Sequence, residues 1–317
     1  MTNKVLQIRN RSPLERLEFA IEVLHTRDPS IRPLTPNKKP GGLFQFSEDD
    51  KREVILIGDL HANKKNLKAI LQDEKNLRKL HNNELVILFL GDAFHDERVG
   101  HLSEMESSVE MLYLLLRLFN QFPDNIIYIQ GNHDSFDPRL VKNRLQQGLL
   151  FQQAVIEAQG EIFAEKVEEF FDALPVFVIH PHFLAVHAGP IRNGATKDEL
   201  INIRNYVDFH WQLTWNRINE TNSTPSKKEY SPDDLEILRY LLKQPPEIPI
   251  IVGHNPMWKW GGNASVWINP LTSKNHVILY GSKEDKAVYI SFTDSMEYKV
   301  KEANLKLKKR RFVMDNY

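Results

Sequence analysis

The sequence predicts an α/β protein built on a buried parallel sheet. Three short apolar runs, rich in β-branched residues, are each followed by a polar motif that contains glycine and then by a segment with apolar residues at helical spacing. Continuous apolar runs of this length are typical of parallel strands that are covered on both faces. The predicted strands are Glu53 to Ile57, Leu85 to Leu90 and Ile126 to Ile129. With 317 residues, the chain can form one large domain.

The first helix is predicted from a capping box. Ser12, Pro13 and Glu15 supply the cap and the first turn, and apolar residues continue at helical spacing to about Thr26. We interpret residues 1–50 as a helical extension that covers a sheet edge, with partner binding as the alternative. Further helices are predicted at Lys64 to Leu80, at Glu104 to Phe122 and, with a break near Gly160, at Leu140 to Phe171.

Two features near the C-terminus have two interpretations each. Residues 298–317 form a basic tail in which lysines alternate with apolar residues. A terminal edge strand with lysines facing water explains this pattern, and contact with nucleic acid or lipid is the alternative. Three tryptophans precede the tail, and they either line the approach to a substrate or pack in the core. They are Trp258, Trp260 and Trp267.

Composition limits the functional class. The formal net charge is −1, so the chain lacks the overall basic field that a nucleic-acid or membrane-surface protein would show. It has no cysteine, so neither disulfides nor thiolate metal ligands are available. No apolar run has the length of a signal peptide core or of a membrane span. We therefore expect a cytoplasmic protein with no membrane partner.

Five motifs carry candidate metal ligands, and the first three of them follow the predicted strands. They are GDLHAN at Gly58 to Asn63, GDAFHDER at Gly91 to Arg98, GNHD at Gly131 to Asp134, HAG at His187 to Gly189, and GHNP at Gly253 to Pro256. Residues after parallel strands gather at one edge of a sheet. Two cations about 3.5–4 Å apart need oxygen and nitrogen ligands, including a carboxylate that bridges them. The motifs supply those residue types in Asp59, His61, Asp92, Asn132, His133, His187 and His254.

The order and wording of these motifs resemble the calcineurin-like metallophosphoesterase superfamily, and within it the phosphoprotein phosphatase (serine/threonine phosphatase) branch. The stretch from Phe170 to Pro190 also resembles a helix, Leu-Pro and two short strands of that branch. The resemblance extends from about Glu53 to Pro256. It implies a four-layer α/β/β/α sandwich of two mixed β-sheets flanked by helices.

The resemblance also implies a role for each motif residue. Six side chains would hold two divalent cations, with Asp59 and His61 on one, Asp92 bridging, and Asn132, His187 and His254 on the other. Manganese is the expected metal, with iron or zinc as alternatives. His133 would donate a proton to the leaving oxygen while a hydroxide held by both metals attacks phosphorus. No covalent phosphoenzyme is expected.

The second motif departs from the pattern of that branch. The branch would place Asp at position 95, to orient the catalytic histidine, and Arg at position 96, to bind phosphate; this chain has His95, Asp96, Glu97 and Arg98. We expect Arg98 to bind the phosphate and either Asp96 or His95 to orient His133, with a solvated charge cluster as the alternative. A second phosphate-binding arginine would be one of Arg192, Arg204, Arg217 and Arg239.

These observations predict a metal-dependent enzyme that hydrolyses a phosphomonoester, most similar to a serine/threonine protein phosphatase. Its partner would be a phosphorylated protein or a small phosphoester. The first alternative is a phosphohydrolase for a nucleotide or dinucleoside polyphosphate. The second is a non-catalytic binding protein that retains the fold.

Overall fold

Two β-sheets form the centre of the molecule. The computed structural model describes residues 11–98, 100–220, 224–257 and 265–306. Its strands are β1 (Leu43–Gln45), β2 (Glu53–Ile57), β3 (Leu85–Phe89), β4 (Ile126–Tyr128), β5 (Val141–Lys142), β6 (Leu145–Gln146), β7 (Phe177–His180), β8 (Phe183–Val186), β9 (Arg217–Ile218), β10 (Glu229–Tyr230), β11 (Ile250–Val252), β12 (Val266–Ile268), β13 (His276–Leu279), β14 (Ala287–Phe292) and β15 (Tyr298–Ala303). One sheet has the order β15-β14-β2-β3-β4 and the other β1-β7-β8-β11-β13-β12. The hairpin β5–β6 and the parallel pair β9–β10 stand apart from both sheets.

Helices cover the outer faces of both sheets. They are α1 (Pro13–His25), α2 (Lys64–Gln72), α3 (Asn76–His81), α4 (Glu106–Gln121), α5 (Gln147–Gln159), α6 (Glu161–Ala173), α7 (Lys197–Ile201), α8 (Val207–Trp215) and α9 (Pro232–Leu241). Helices α1, α2, α4, α5 and α6 share an apolar core with the five-stranded sheet, whereas α7, α8 and α9 share one with the six-stranded sheet. The predicted four-layer α/β/β/α sandwich is confirmed.

The alternation of side chains along β3 shows why the predicted strands read as continuous apolar runs. Leu85, Ile87 and Phe89 point into the core beneath the helices, while Val86 and Leu88 point into the core between the two sheets. Both faces of the strand are therefore shielded from water, and every residue of the strand is buried. Full burial of such a side chain contributes about 1.5–3 kcal/mol to folding. A run with no polar position is the consequence.

The N-terminal segment differs in part from the prediction. The capping box of α1 is formed, with the side chain of Ser12 accepting from the backbone of Glu15 and that of Glu15 accepting from the backbone of Ser12. The helix packs against α4 and α6, and Arg27 just after it donates to the carbonyl of Ile126 in the edge strand β4. The same segment adds strand β1 to the six-stranded sheet, next to β7.

Two predicted helices are interrupted. The segment Lys64 to Leu80 is broken by a short 3₁₀ turn, in which Glu74 and Lys75 adopt positive φ. The predicted helix from Leu140 to Phe171 begins later, because residues 141–146 form the hairpin β5–β6. Its predicted break at Gly160 is confirmed, since this glycine has a φ of +89° and separates α5 from α6.

The C-terminal edge of the five-stranded sheet is strand β15, as the alternating pattern predicts. Lys299 faces solvent, but Lys301 lies within 3.4 Å of Glu53 and 2.5 Å of Glu74. The basic residues from 308 to 311 lie outside the described residues. Within the described part of the chain, no helix combines the length and the apolarity needed to span a bilayer. The predicted cytoplasmic location stays a prediction.

Candidate active site

The motif residues lie at the carboxyl ends of five strands. Strands β2, β3 and β4 run parallel in one sheet, and β8 and β11 run parallel in the other. Asp59, Asp92 and Asn132 follow the first three strands, and His187 and His254 follow the other two. The two sheets therefore direct their ligand loops to one place, as the sequence pattern predicts.

Five motif residues form two overlapping groups that can each hold a metal ion. One group is Asp59, His61 and Asp92, and the other is Asp92, His187 and His254. In each group, the three ligand atoms all lie within 4.8 Å of one another. Because Asp92 belongs to both groups, it is placed to bridge two ions.

Backbone carbonyls fix the ring nitrogens that two histidines present to the site. His187 Nδ1 donates to the carbonyl of Leu90 at 2.7 Å, and His61 Nδ1 donates to that of Phe94 at 3.2 Å. A carbonyl can only accept, so Nδ1 carries the proton in each neutral ring and Nε2 presents a lone pair. Metal-binding histidines are oriented in this way.

The arrangement of lone pairs around His187 fits a bound cation. Its Nε2 lies 3.1 Å from Asn132 Oδ1 and 3.2 Å from Asp92 Oδ2. His254 Nδ1 lies 3.2 Å from the same nitrogen. With a neutral ring, His187 Nε2 and the two oxygens are all acceptors, an arrangement that suits a cation among them. Although burial opposes the shift, the charge of Asp92 raises the pKa of His187 to about 9, so a proton can take that position. His254 Nε2, also buried, has no hydrogen-bond partner among the described residues.

Burial and strain accompany this cluster. Burial raises the pKa of Asp59 to about 6, while the backbone N–H of His254 donates to both of its oxygens at 2.9 and 3.0 Å. Three ligands adopt a positive φ, which is unusual for residues with a side chain. They are His61, Asp92 and His254, at 43°, 50° and 63°. A Cβ on Gly131 would lie 2.2 Å from Asp92 Oδ1, so only glycine permits this approach.

His133 lies beside the cluster and is paired with His95. The backbone N–H of His133 donates to Asp92 Oδ1 at 2.8 Å, and its Nδ1 lies 2.7 Å from His95 Nδ1, so one ring donates to the other. Burial lowers the pKa of His133 to about 4, although Asp92 opposes the shift. The carboxylate of Asp96 is bound by Arg98 and Ser107. Of the two residues expected to orient His133, the structure brings His95 to it and not Asp96.

Arg98 is not placed as its predicted role requires. Its Nε and Nη2 contact the carboxylate of Asp96 at 2.9 and 2.5 Å, and its side chain is half exposed. It lines a cavity of about 1130 Å³ that neighbours the ligand cluster and reaches it at His61. Within the displaced Asp-Glu-Arg sequence, Asp96 and Arg98 therefore pair with each other. This arrangement favours the alternative interpretation, a solvated charge cluster.

One of the four later arginines lies at the site. Arg217 lines a cavity of about 640 Å³ together with the metal-binding groups and His133, and its guanidinium has no hydrogen bond or ion pair within the described residues. The other three are tied elsewhere. Arg192 donates to Pro225, Arg204 to Leu174, and Arg239 to Ile248 and Asn275.

Several residues that the sequence did not single out shape this cavity. Asp134 accepts from Tyr128 Oη, from the backbone of Gly131 and from that of Asp92, and so holds the GNHD loop against the bridging ligand. Trp215 packs its ring 6.3 Å from that of His254. The only local signal for Asp134 was its place in the motif.

The predicted tryptophan cluster is only partly within the structure. Trp267 lines the cavity and also packs against the core of the six-stranded sheet. Both interpretations, lining the approach to a substrate and packing in the core, therefore apply to this residue. Trp258 and Trp260 lie outside the described residues.

The fold and the site together define a phosphoesterase whose buried Asp and His groups could bind metal ions. Residues 53–282 match the family model described as calcineurin-like phosphoesterase, and the chain belongs to this family. The superfamily predicted from the motifs is confirmed, and the protein is a metallophosphoesterase, so the non-catalytic alternative is not supported. The family implies two metal ions and a phosphorylated substrate.

Solved structures share this fold. A protein serine/threonine phosphatase from Saccharomyces cerevisiae, described as similar to human phosphatase PP5, is 15% identical, with a TM-score of 0.65 over 94% of this chain and 90% of that chain. A cold-active protein-tyrosine phosphatase from a psychrophilic Shewanella is 14% identical, with a TM-score of 0.49 over 86% and 84% of the two chains, which is too low to support an inference. No curated protein sequence matches this chain significantly.

Proposed function

We propose that this protein hydrolyses phosphomonoesters and that its substrates are phosphoserine or phosphothreonine residues of proteins. The observation that carries the proposal is the pair of ligand groups that share Asp92, with His133 beside them in an open cavity. The likeness to the yeast serine/threonine phosphatase over nearly the whole chain supports the choice of substrate.

The placement of the residues supports a role for each. Asp59 and His61 would hold one cation, Asp92 would be shared, and Asn132, His187 and His254 would hold the other. When bound, two such cations polarise phosphate oxygens and lower the pKa of a water that becomes the nucleophile. His133, oriented by His95, donates a proton to the leaving oxygen.

Manganese is the proposed metal, with iron or zinc as alternatives. The donor set mixes imidazole nitrogen with carboxylate and amide oxygen, which suits these ions better than calcium, because calcium favours cages made only of oxygen. Elemental analysis of active protein should approach two ions per chain. A chelator should remove the activity, and Mn²⁺ should restore it better than Ca²⁺.

A comparison of substrates tests the proposal. With Mn²⁺ present, phosphoserine and phosphothreonine peptides should be hydrolysed with a higher kcat/KM than nucleotides or dinucleoside polyphosphates. The second class remains a candidate because Trp215 and Trp267 line the cavity and offer surfaces on which a base can stack. Preference for nucleotides would replace the proposed substrate with that class.

Arg217 is proposed to bind the phosphate of the substrate. A guanidinium binds phosphate through paired N–H donors, a geometry that lysine cannot reproduce. Arg217→Ala and Arg217→Lys should therefore both lower kcat/KM, by about 10- to 100-fold for Ala, while metal content stays unchanged. Arg98→Ala is the matched control and should change kcat/KM little. A large loss in Arg98→Ala with none in Arg217→Ala would return the role to Arg98.

A further inference from the structure

A largely buried ion pair between Lys142 and Glu97 lies at the boundary of the two cavities. Lys142 Nζ donates to Glu97 Oε1, and Tyr280 Oη donates to Glu97 Oε2 at 2.7 Å. Glu97 Oε1 is also 3.7 Å from His61 Nε2, the nitrogen that faces the metal position. Both side chains of the pair are largely buried, with 29% of Lys142 and 16% of Glu97 exposed. The pair therefore lies next to the ligand cluster.

The hairpin β5–β6 places Lys142 there. Asn143 and Arg144 both adopt positive φ, as a two-residue type I′ turn requires, and the turn fixes Lys142 opposite Leu145. After the hairpin, Gln147 Nε2 donates to the carbonyl of Leu102, at 3.2 Å, which ties α5 to the loop that follows Glu97. The position of Lys142 thus depends on backbone geometry as well as on its ion pair.

The other cations near the site are held differently. Arg139 lines the same cavity as Lys142, but its guanidinium is bound to Asp137 and its side chain is 83% exposed. Arg98 is bound to Asp96 and lines the neighbouring cavity. Among the described residues, Lys142 supplies the partly buried ammonium group of the cavity that contains the metal ligands. Its ammonium has three donors, and Glu97 uses one of them.

We propose that Lys142 binds the phosphate group of the substrate directly and that Glu97 is a positioning residue that directs the ammonium toward it. This inference deepens the proposed function and rests on it. Lys142 replaces, from a different loop, the cation that the altered GDAFHDER motif no longer directs at the metals. Together with Arg217, it flanks the phosphate position in the cavity.

Binding of inorganic phosphate to the Mn²⁺-loaded full-length protein tests this role without turnover. Titration calorimetry on Lys142→Gln should show binding weakened by about 10-fold or more, because a hydrogen bond to a charged group is lost. Lys142→Arg should recover part of the affinity. Arg144→Gln, which removes a cation from the same hairpin outside the cavity, is the matched control and should bind like the wild type. Metal content must stay equal in all variants.

A double variant separates direct contact from simple neutralisation of Glu97. If Lys142 contacts phosphate, Lys142→Gln/Glu97→Gln should bind phosphate as weakly as Lys142→Gln. Recovery of wild-type affinity in the double variant would overturn the proposal, since Lys142 would then only neutralise the carboxylate. Unchanged affinity in Lys142→Gln would also overturn it. Failure of the proposed function would give a different result. Phosphopeptides would then not be hydrolysed, although phosphate binding would still depend on Lys142.

Discussion

Asp92→Asn should remove nearly all phosphatase activity, with a loss of about 10³-fold or more in kcat/KM. Asp92 is shared by both ligand groups, so the substitution weakens the contact to both ions at once. Polarisation by such ions contributes several kcal/mol to the transition state, and each 1.36 kcal/mol corresponds to about a factor of ten in rate. The variant should also hold fewer than two metal ions per chain by elemental analysis.

The fold should survive this substitution. Asparagine keeps an Oδ1 that can accept from the backbone N–H of His133, as Asp92 does at 2.8 Å. Asp294→Asn is the matched control, because Asp294 accepts from Lys51 and lines neither cavity of the site. It should retain both metals and wild-type kcat/KM. Activity equal to the wild type in Asp92→Asn would remove Asp92 from the site.

His133→Asn should reduce hydrolysis in a way that depends on the leaving group. A general acid typically contributes about 10²- to 10⁴-fold, and it helps most when the departing oxygen is a poor leaving group. The loss should therefore be of that size for phosphoserine, whose alkoxide needs a proton. It should be much smaller for p-nitrophenyl phosphate. Steady-state kinetics on the two substrates measure the difference.

This experiment has two controls, a measurement of metal content and a substitution of a second histidine. His133→Asn should retain both ions, whereas loss of metal would make His133 a ligand. His101→Asn changes a half-exposed histidine whose ring contacts Glu104, and it should leave both substrates unaffected. Because His95 Nδ1 lies 2.7 Å from His133 Nδ1, His95→Gln should reproduce the leaving-group pattern more weakly. Equal losses on both substrates would exclude His133 as the proton donor.

Much of the site was predictable because its determinants are local in sequence. Each ligand motif directly follows a strand, and the strands are recognisable because burial on both faces demands continuous apolar runs. Once parallel strands are assigned, their carboxyl ends must share an edge, which brings Asp59, Asp92 and Asn132 together. The helix cap at Ser12 and the break at Gly160 are also local, since each depends on the conformation of a few neighbouring residues.

The cations and the partner of His133 were decided by tertiary structure. Arg217 and Lys142 reach the site from β9 and from the hairpin β5–β6, and no local pattern distinguishes Arg217 from Arg192, Arg204 or Arg239. His95 and Asp96 are adjacent, yet only His95 meets His133, because a positive φ of 64° at His95 and the pairing of Asp96 with Arg98 direct the two side chains apart. The sequence alone predicted the α/β fold class, from burial, and the candidate metal ligands, from the motifs after the strands. Which charged side chains face the metals depends on contacts between residues distant along the chain, which sequence spacing does not encode.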